Sequence, residues 1–195
     1  DITGMSSVDI YPLAFLRQKI YRLEGQVDEQ GRGLVNKRVV SNTVGTISNE
    51  SIVRFKNLGV YFASVDGFYF CDGYKVQKIT EHLNATYKQY IDTTNIETCL
   101  VVGGLDPKFN RIYWVCVDAA QNGAVVFVHD PVFGMDNDQG SFTVFKFNKV
   151  VNSWNGSATV FADAPNFFPS CVTFDVDGTP ILGSGSGVVY KLDSQ

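Results

Sequence analysis

The sequence has little of what a metal centre requires. It contains two histidines, and its four cysteines lie far apart without any C-x-x-C pair. Those cysteines are Cys71, Cys99, Cys116 and Cys171. Zinc sites draw on closely spaced pairs of ligands, so this spacing argues against a metal role. Four buried free thiols are the simpler interpretation, and they fit a reducing compartment.

Long apolar runs and a concentrated basic surface are also missing. No segment approaches the roughly 20 consecutive apolar residues of a membrane helix, so no membrane insertion is expected. Residues 1–58 carry eight Lys or Arg and six Asp or Glu, whereas residues 59–195 carry eight and fourteen. The two balances are therefore +2 and −6, within a net charge of −4. A nucleic-acid-binding surface needs clustered basic residues, so nucleic acid is not expected as a direct ligand.

Aromatic residues and glycine, in contrast, are abundant. The chain has 15 Phe, 9 Tyr, 2 Trp and 18 Gly, a composition that favours short strands joined by tight turns. From residue 35 onward, short β-branched and aromatic segments alternate with turn residues. Three dipeptides are typical of two-residue hairpin turns: Asp66-Gly67, Asp72-Gly73 and Asp177-Gly178. Residues 59–79 therefore predict an antiparallel meander.

The meander recurs along the chain. Residues 62–70 match residues 182–190 in character, which aligns Gly67 with Gly187 at an offset of 120 residues. Asn110 and Asn148 fall between them and indicate a repeat of about 40 residues, the length of a four-stranded propeller blade. One blade cannot bury both of its faces without neighbours. We therefore predict an all-β fold of about three to four β-propeller blades within residues 35–195, each a four-stranded antiparallel meander, forming a partial propeller.

Residues 1–34 lack this pattern and predict an N-terminal arm, or a short helix followed by a loop. Apolar residues at near-helical spacing follow Pro12, which suits the first turn of a helix. They are Leu13, Leu16, Ile20 and Leu23. The Ile and Tyr residues of the same stretch suit a strand equally well, so helix and strand both stay open. The chain begins at Asp1 without a methionine, which indicates a processed product or a fragment of a longer protein.

Residues 41–195 carry a recognisable blade pattern. A Gly-containing segment (44–46) precedes a Ser-Ile-Val strand (51–53), a strand pair (60–69) and a strand that opens with Asp-Gly (72–79). This pattern resembles the blades of propeller proteins in the tails of short-tailed bacteriophages, namely the tail nozzle, tail tubular and tail stabilisation proteins. The resemblance implies a structural virion protein, without enzymatic activity or cofactor, located in the virion tail after synthesis in the host cytoplasm. It implies other virion tail proteins as partners in an oligomeric assembly, with DNA only as passing cargo.

Several local motifs resemble metal-binding, catalytic or phosphate-binding sites, but each of them fits a turn or loop better. Asp136 and Asp138 precede a glycine, as in calcium loops, but the third acidic ligand and the later Glu are missing. A solvated loop between blades is the stronger interpretation there. His82 and His129 are not accompanied by a G-x-S-x-G elbow, and the glycine-rich residues 183–187 precede a strand rather than a helix N-terminus. No catalytic or cofactor-binding residue is predicted.

The alternative function is a carbohydrate-binding or glycan-cleaving propeller for host recognition. Tyr87, Tyr90 and Phe133 could stack on sugar rings if they are exposed. Core or interface positions are the simpler interpretation of these three residues. No spacing in the sequence places a pair of carboxylates at the separation that glycoside hydrolysis needs.

Overall fold

Strands make up most of the chain in the computed structural model, and the prediction of an all-β fold built from antiparallel meanders is confirmed. The structure describes residues 1–27, 30, 33–91, 99–118, 123–131, 141–148, 153–154, 169–184 and 189–191. The chain divides into two compact units, Asp1–Thr80 and Glu81–Gln195.

The first unit contains two four-stranded sheets, and in each sheet consecutive strands pair side by side. The first sheet consists of β1 (Gly4–Val8), β2 (Tyr11–Phe15), β3 (Ile20–Val27) and β4 (Gly33–Ser41). A short 3-10 turn, Asn49–Ser51, follows. The second sheet consists of β5 (Val53–Phe55), β6 (Gly59–Ser64), β7 (Gly67–Cys71) and β8 (Val76–Lys78).

Both sheets of the first unit contribute to one hydrophobic core. Its buried members are Val8, Leu13, Phe15, Ile20, Val60, Phe62, Tyr69 and Cys71. The Phe15 and Phe62 rings meet edge to face, with centroids 5.1 Å apart, and Phe62 also stacks on Tyr69 at 5.9 Å. Each such side chain contributes about 1.5–3 kcal/mol when it is fully buried. Packing between the sheets therefore stabilises meanders that would be marginal alone.

The second unit opens with a 3-10 turn, Glu81–Leu83, and the helix α1 (Asn84–Tyr90). A five-stranded sheet follows: β9 (Cys99–Leu105), β10 (Ile112–Asp118), β11 (Gly123–Asp130), β12 (Ser141–Asn148) and β13 (Ser153–Trp154). The last sheet has three strands, β14 (Pro169–Phe174), β15 (Pro180–Ser184) and β16 (Val189–Lys191).

The five-stranded sheet is covered on both faces. On one face, Tyr113 and Val126 belong to a core that includes Leu182 of β15. On the other face, Phe127 packs against Tyr87 of α1, with ring centroids 6.2 Å apart. Strands that are buried on both faces read as continuous apolar runs, which explains the sequence of β10 and β11.

The described part of residues 1–34 forms strands, rather than the short helix or irregular segment that we expected. These residues supply β1, β2, β3 and the first two residues of β4, so the expected boundary between residues 34 and 35 falls inside a strand. The helical spacing misleads because Leu16 lies in the turn between β2 and β3, where its N–H donates to the carbonyl of Lys19. Leu13 and Ile20 then reach the core from two separate strands. Of the two open alternatives, the strand is the one observed.

The 40-residue period is also wrong. Asn110 precedes β10 and Asn148 ends β12 of the same sheet, so they are not equivalent positions in successive blades. The second strands of the four meanders begin at Tyr11, Gly59, Ile112 and Pro180, which are unevenly spaced and farther apart than about 40 residues. The match between residues 62–70 and 182–190 does join corresponding elements, because both are second-to-third strand hairpins. Gly187 itself lies outside the described residues.

Candidate functional site: the arm of the first sheet and its anchor

Asp66 and Gly67 lie in the β6–β7 hairpin, although not as its central pair. Ser64 pairs with Gly67, which makes Asp66 the second residue of a two-residue loop. The Asp66 carboxylate accepts hydrogen bonds from the Tyr69 hydroxyl and the Lys78 ammonium, each at 2.8 Å. Burial alone would raise the pKa of Asp66, but the hydrogen bonds from Lys78 and Tyr69 outweigh it and lower the pKa. The side chain thus joins the hairpin to β8.

The other two Asp-Gly dipeptides lie in longer loops than the two-residue turns that we expected. Cys71 pairs with Val76, so Asp72 and Gly73 belong to a four-residue loop. The Asp72 carboxylate accepts two backbone N–H groups, those of residues 74 and 75, both at 2.8 Å. Gly73 has a φ of +89°, a left-handed conformation that favours glycine.

Asp177 and Gly178 lie in the five-residue loop between β14 and β15. The aspartate that organises this loop is Asp175, whose carboxylate accepts the N–H groups of residues 177 and 179 at 2.9 and 2.8 Å. Asp106 does the same between β9 and β10 for residues 108 and 109. The sequence interpretation missed both aspartates as turn residues. The dipeptide Asp106-Pro107 is a turn signal that could have revealed the first.

Most of the residues that we considered as weak ligand-binding candidates lie outside the described part of the chain. The calcium candidates Asp136 and Asp138, together with Phe133, lie outside the described residues, as does the side chain of Tyr90. Tyr87 is fully buried against Phe127, so it is not an exposed stacking platform. Within the part of the chain that the structure describes, no group of three or more His, Cys, Asp or Glu could hold a metal ion.

The cysteines follow the expectation of buried thiols only in part. Cys71 and Cys116 are buried, and burial raises the pKa of Cys71 to about 11. That thiol stays protonated and unreactive near neutral pH. Cys171 is free but exposed, which corrects the expectation. It lies on the edge strand β14, where residues alternate between covered and open positions. The side chain of Cys99 lies outside the described residues.

Arg22 of β3 connects the two sheets of the first unit. Its guanidinium is buried between two tyrosine rings, 4.6 Å from the Tyr11 centroid and 4.2 Å from the Tyr74 centroid. It also forms an ion pair with Glu24 and donates a hydrogen bond to the carbonyl of Gly73 at 3.5 Å. The hydrogen bond with Glu24 is the main reason that the pKa of Arg22 is raised. The stack fixes β3 at the point where β3 leaves the sheet.

Beyond Arg22, β3 continues with β4 as a two-stranded ribbon. Strand β2 pairs only with residues 20–22 of β3, whereas β4 pairs as far as residue 27. We call the pairing of residues 23–27 with 33–37 the arm. A Cβ added at Gly25 or Gly33 would lie more than 4 Å from every heavy atom of the described residues, apart from those of the glycine and its two chain neighbours. The described residues therefore leave the space around both of these glycines open.

One face of the arm and of its base carries two exposed valines. The register places Val39 opposite Tyr21, Lys37 opposite Leu23 and Val35 opposite Gly25, all on one side of the ribbon. Val35 is 72% exposed and Val39 is 46% exposed. The Lys37 ammonium lies 5.5 Å from the centroid of the Tyr21 ring and leaves both valines open. We call these residues the arm face.

Comparison with known proteins does not assign the chain to a family. No protein-family model matches the chain, and no curated protein is significantly similar to it. The likeness to phage tail propellers therefore rests on the residue pattern of 41–195. No helix among the described residues has the length and apolar character needed to cross a membrane.

Proposed function

We propose that this chain is a structural subunit of a larger assembly, and that its arm docks on a second copy of the same chain. The arm face is the observation that carries the proposal. A two-stranded ribbon is marginally stable in water when nothing covers it, and an exposed edge strand with apolar side chains is a template for association. Covering Val35 and Val39 would stabilise the ribbon and would also protect its exposed edge strand from unspecific association.

The charge distribution favours a second copy as the partner. On β4 the arm face and its neighbour carry two cations, Lys37 and Arg38. Residues 59–195 carry eight basic against fourteen acidic side chains. The Lys37 ammonium on the arm face of one copy is therefore opposite in sign to the acidic part of another copy, which favours their association.

The assembly that we propose is the virion tail of a short-tailed bacteriophage. Support comes from the blade-like residue pattern and from the four consecutive meanders, which are the sheets expected of such propeller proteins. In this role the chain is made in the host cytoplasm and then incorporated into the tail beside other tail proteins. Its contribution is geometric rather than catalytic, and DNA is only cargo that passes through.

The arm is tested by replacing both valines with lysine, Val35→Lys together with Val39→Lys. We expect the unaltered protein to self-associate and the double variant to be monomeric, because two lysines cannot be buried without partners. The loss of apolar burial alone would weaken association at least about tenfold. Light scattering after size-exclusion chromatography measures the mass.

Val176→Lys is the matched control, because this valine is fully exposed in the β14–β15 loop. It should leave the mass unchanged, and far-UV circular dichroism should show that every variant is folded. A monomeric unaltered protein, or a double variant of undiminished mass, would overturn docking through the arm.

The virion assignment is tested separately by mass spectrometry of purified particles of the phage that encodes the sequence. Peptides of the chain should be present in a fixed ratio to the other tail proteins. Their absence would remove the virion assignment, whatever the light-scattering result.

A further inference from the structure

The five-stranded sheet of the second unit ends in a row of polar side chains. Asp130 of β11 pairs with Ser141 of β12, and the Arg111 guanidinium donates a hydrogen bond to the Asp130 carboxylate at 3.1 Å. The next register position holds Tyr113, Val128 and Thr143 on the same face. Together with Phe145, these six residues line a cavity of about 250 Å³.

The cavity offers hydrogen-bond donors and acceptors in balance. The Arg111 guanidinium only donates and the Asp130 carboxylate only accepts, whereas the hydroxyls of Ser141 and Thr143 can do both. The two formal charges cancel within one ion pair, so the cavity favours neither an anion nor a cation. Two neighbouring hydroxyls of a ligand fit this pair well, because one can accept from the arginine while the other donates to the aspartate.

The polar groups are held in place before any ligand binds. Arg111 lies over the Phe109 ring, 5.5 Å from its centroid, and Asp130 is 16% exposed at its side chain. Tyr113 is buried, and burial raises its pKa, so the phenol keeps its proton at neutral pH and can donate it. Groups that are already oriented lose little conformational freedom on binding, which favours affinity.

Asp106 lies in the loop between β9 and β10, next to Arg111, and does not itself line the cavity. Its N–H donates to the carbonyl of Arg111 at 2.8 Å, which places it next in the polar row. The residue is 1% exposed, and its Oδ2 has no hydrogen-bond partner among the described residues. A buried acceptor without a donor is destabilising, so a water molecule at this position is favoured.

We propose that this cavity binds a neutral polyhydroxylated ligand of the size of one sugar ring. Pockets for drug-sized ligands span about 300–1,000 Å³, so the smaller volume here suits a single ring. Val128 and Phe145 supply the apolar surface on which the C–H face of a sugar packs. Binding at this cavity does not depend on the arm or on the proposed role in assembly.

The test uses simple methyl glycosides of glucose, galactose, mannose and N-acetylglucosamine as probes. Each is titrated into the full-length ¹⁵N-labelled protein while amide resonances are recorded. We expect at least one glycoside to give saturable shifts confined to β10, β11 and β12, with a Kd of about 1 mM. No saturable shift with any glycoside up to about 50 mM, or shifts centred elsewhere, would overturn the proposal.

Two matched variants identify the contact. Thr143→Val removes one hydroxyl from the cavity with little change in shape. Thr173→Val makes the same change at a position of β14 that is equally open to solvent and does not line the cavity. We expect Thr143→Val to weaken binding about threefold to tenfold, the effect of one lost hydrogen bond, and Thr173→Val to leave it unchanged. An equal effect of both variants, or a saturable response to inorganic phosphate alone, would contradict a site for neutral polyols.

Discussion

At the scale of single residues, His129 is a buried imidazole within an aromatic stack. Its ring lies 4.4 Å from the Phe142 centroid and 6.4 Å from the Trp114 centroid, and Nδ1 is 3.2 Å from the carbonyl oxygen of Ser141. Burial lowers the pKa of His129 to about 4, although the Ser141 carbonyl and Asp130 act in the opposite direction. The folded protein therefore holds this side chain neutral over a range in which a solvated histidine takes up a proton.

This shift predicts a pH-dependent free energy of unfolding. The unfolded chain binds a proton at His129 below about pH 6.5, and the folded chain does so only near pH 4. Stability should therefore fall as the pH is lowered through this window, by about 1.4 kcal/mol per pH unit from this group. Urea unfolding followed by tryptophan fluorescence measures the slope.

A variant pair isolates the contribution of His129 from that of the carboxylates. His129→Gln should lose this part of the slope, because glutamine does not titrate. His82→Gln on the exposed 3-10 turn should keep most of it, because the charge of His82 is the smallest of the causes that act on the pKa of His129. The same slope in both variants would show that proton uptake at His129 does not govern stability in this window.

At the scale of elements, the sequence predicted the positions of turns better than the lengths of the loops that contain them. Asp66, Asp72 and Asp177 do mark three loops, because aspartate and glycine favour turns in any context. The loop lengths were not predictable, since they depend on which aspartate oxygen reaches which N–H or side chain in the folded state. Asp66 binds Lys78, twelve residues away, and such a contact leaves no local signal in the sequence.

The segment 8–25 shows a different limit. Leu13 and Ile20 satisfy both a helical spacing and two short strands, so periodicity alone could not separate the alternatives. The deciding contacts are long-range: Arg22 packs between Tyr11 and Tyr74. A buried charge of this kind is favourable only when the ring stack and the ion pair are complete, which depends on the tertiary fold.

The β6–β7 hairpin yields a prediction about one glycine. Gly67 has a φ of +154°, and an added Cβ would lie 2.3 Å from the Thr80 hydroxyl oxygen, which accepts the N–H of residue 68 at 3.0 Å. Gly67→Ala should therefore lower the free energy of unfolding by about 1–3 kcal/mol. Gly25→Ala in the open arm is the control and should not destabilise the protein. Equal midpoints for the two variants in urea would refute the steric argument.

At the scale of the whole molecule, the amino-acid composition predicted the all-β class, whereas the length of the repeat could not be predicted from it. Phe, Tyr and Gly content reports local strand and turn preference, which is additive along the chain. Blade length depends on loops, and β9–β13 extends over residues 99–154 while β5–β8 needs only residues 53–78. Equal spacing of Gly67, Asn110, Asn148 and Gly187 was therefore fortuitous. The strand pairing in the arm also escaped prediction, because residues 24–34 are mostly polar and favour a loop.

The division into two units leads to a prediction about unfolding. Each described core lies within one unit: Phe62 belongs to the first and Val126 to the second. Both tryptophans, Trp114 and Trp154, lie in the second unit, so their fluorescence reports on that unit, whereas circular dichroism reports on all strands. Phe62→Ala creates a cavity in the first core that should cost about 3–5 kcal/mol.

We expect Phe62→Ala to split the urea transition. The circular dichroism signal should begin to change at lower urea, while the midpoint of tryptophan fluorescence stays where it is in the unaltered protein. Val126→Ala is the matched change in the second core and should move the fluorescence midpoint. If Phe62→Ala shifts the fluorescence midpoint as far as the circular dichroism midpoint, the two units unfold as one cooperative body. A defect confined to the first core would then also destabilise the strands around Trp114.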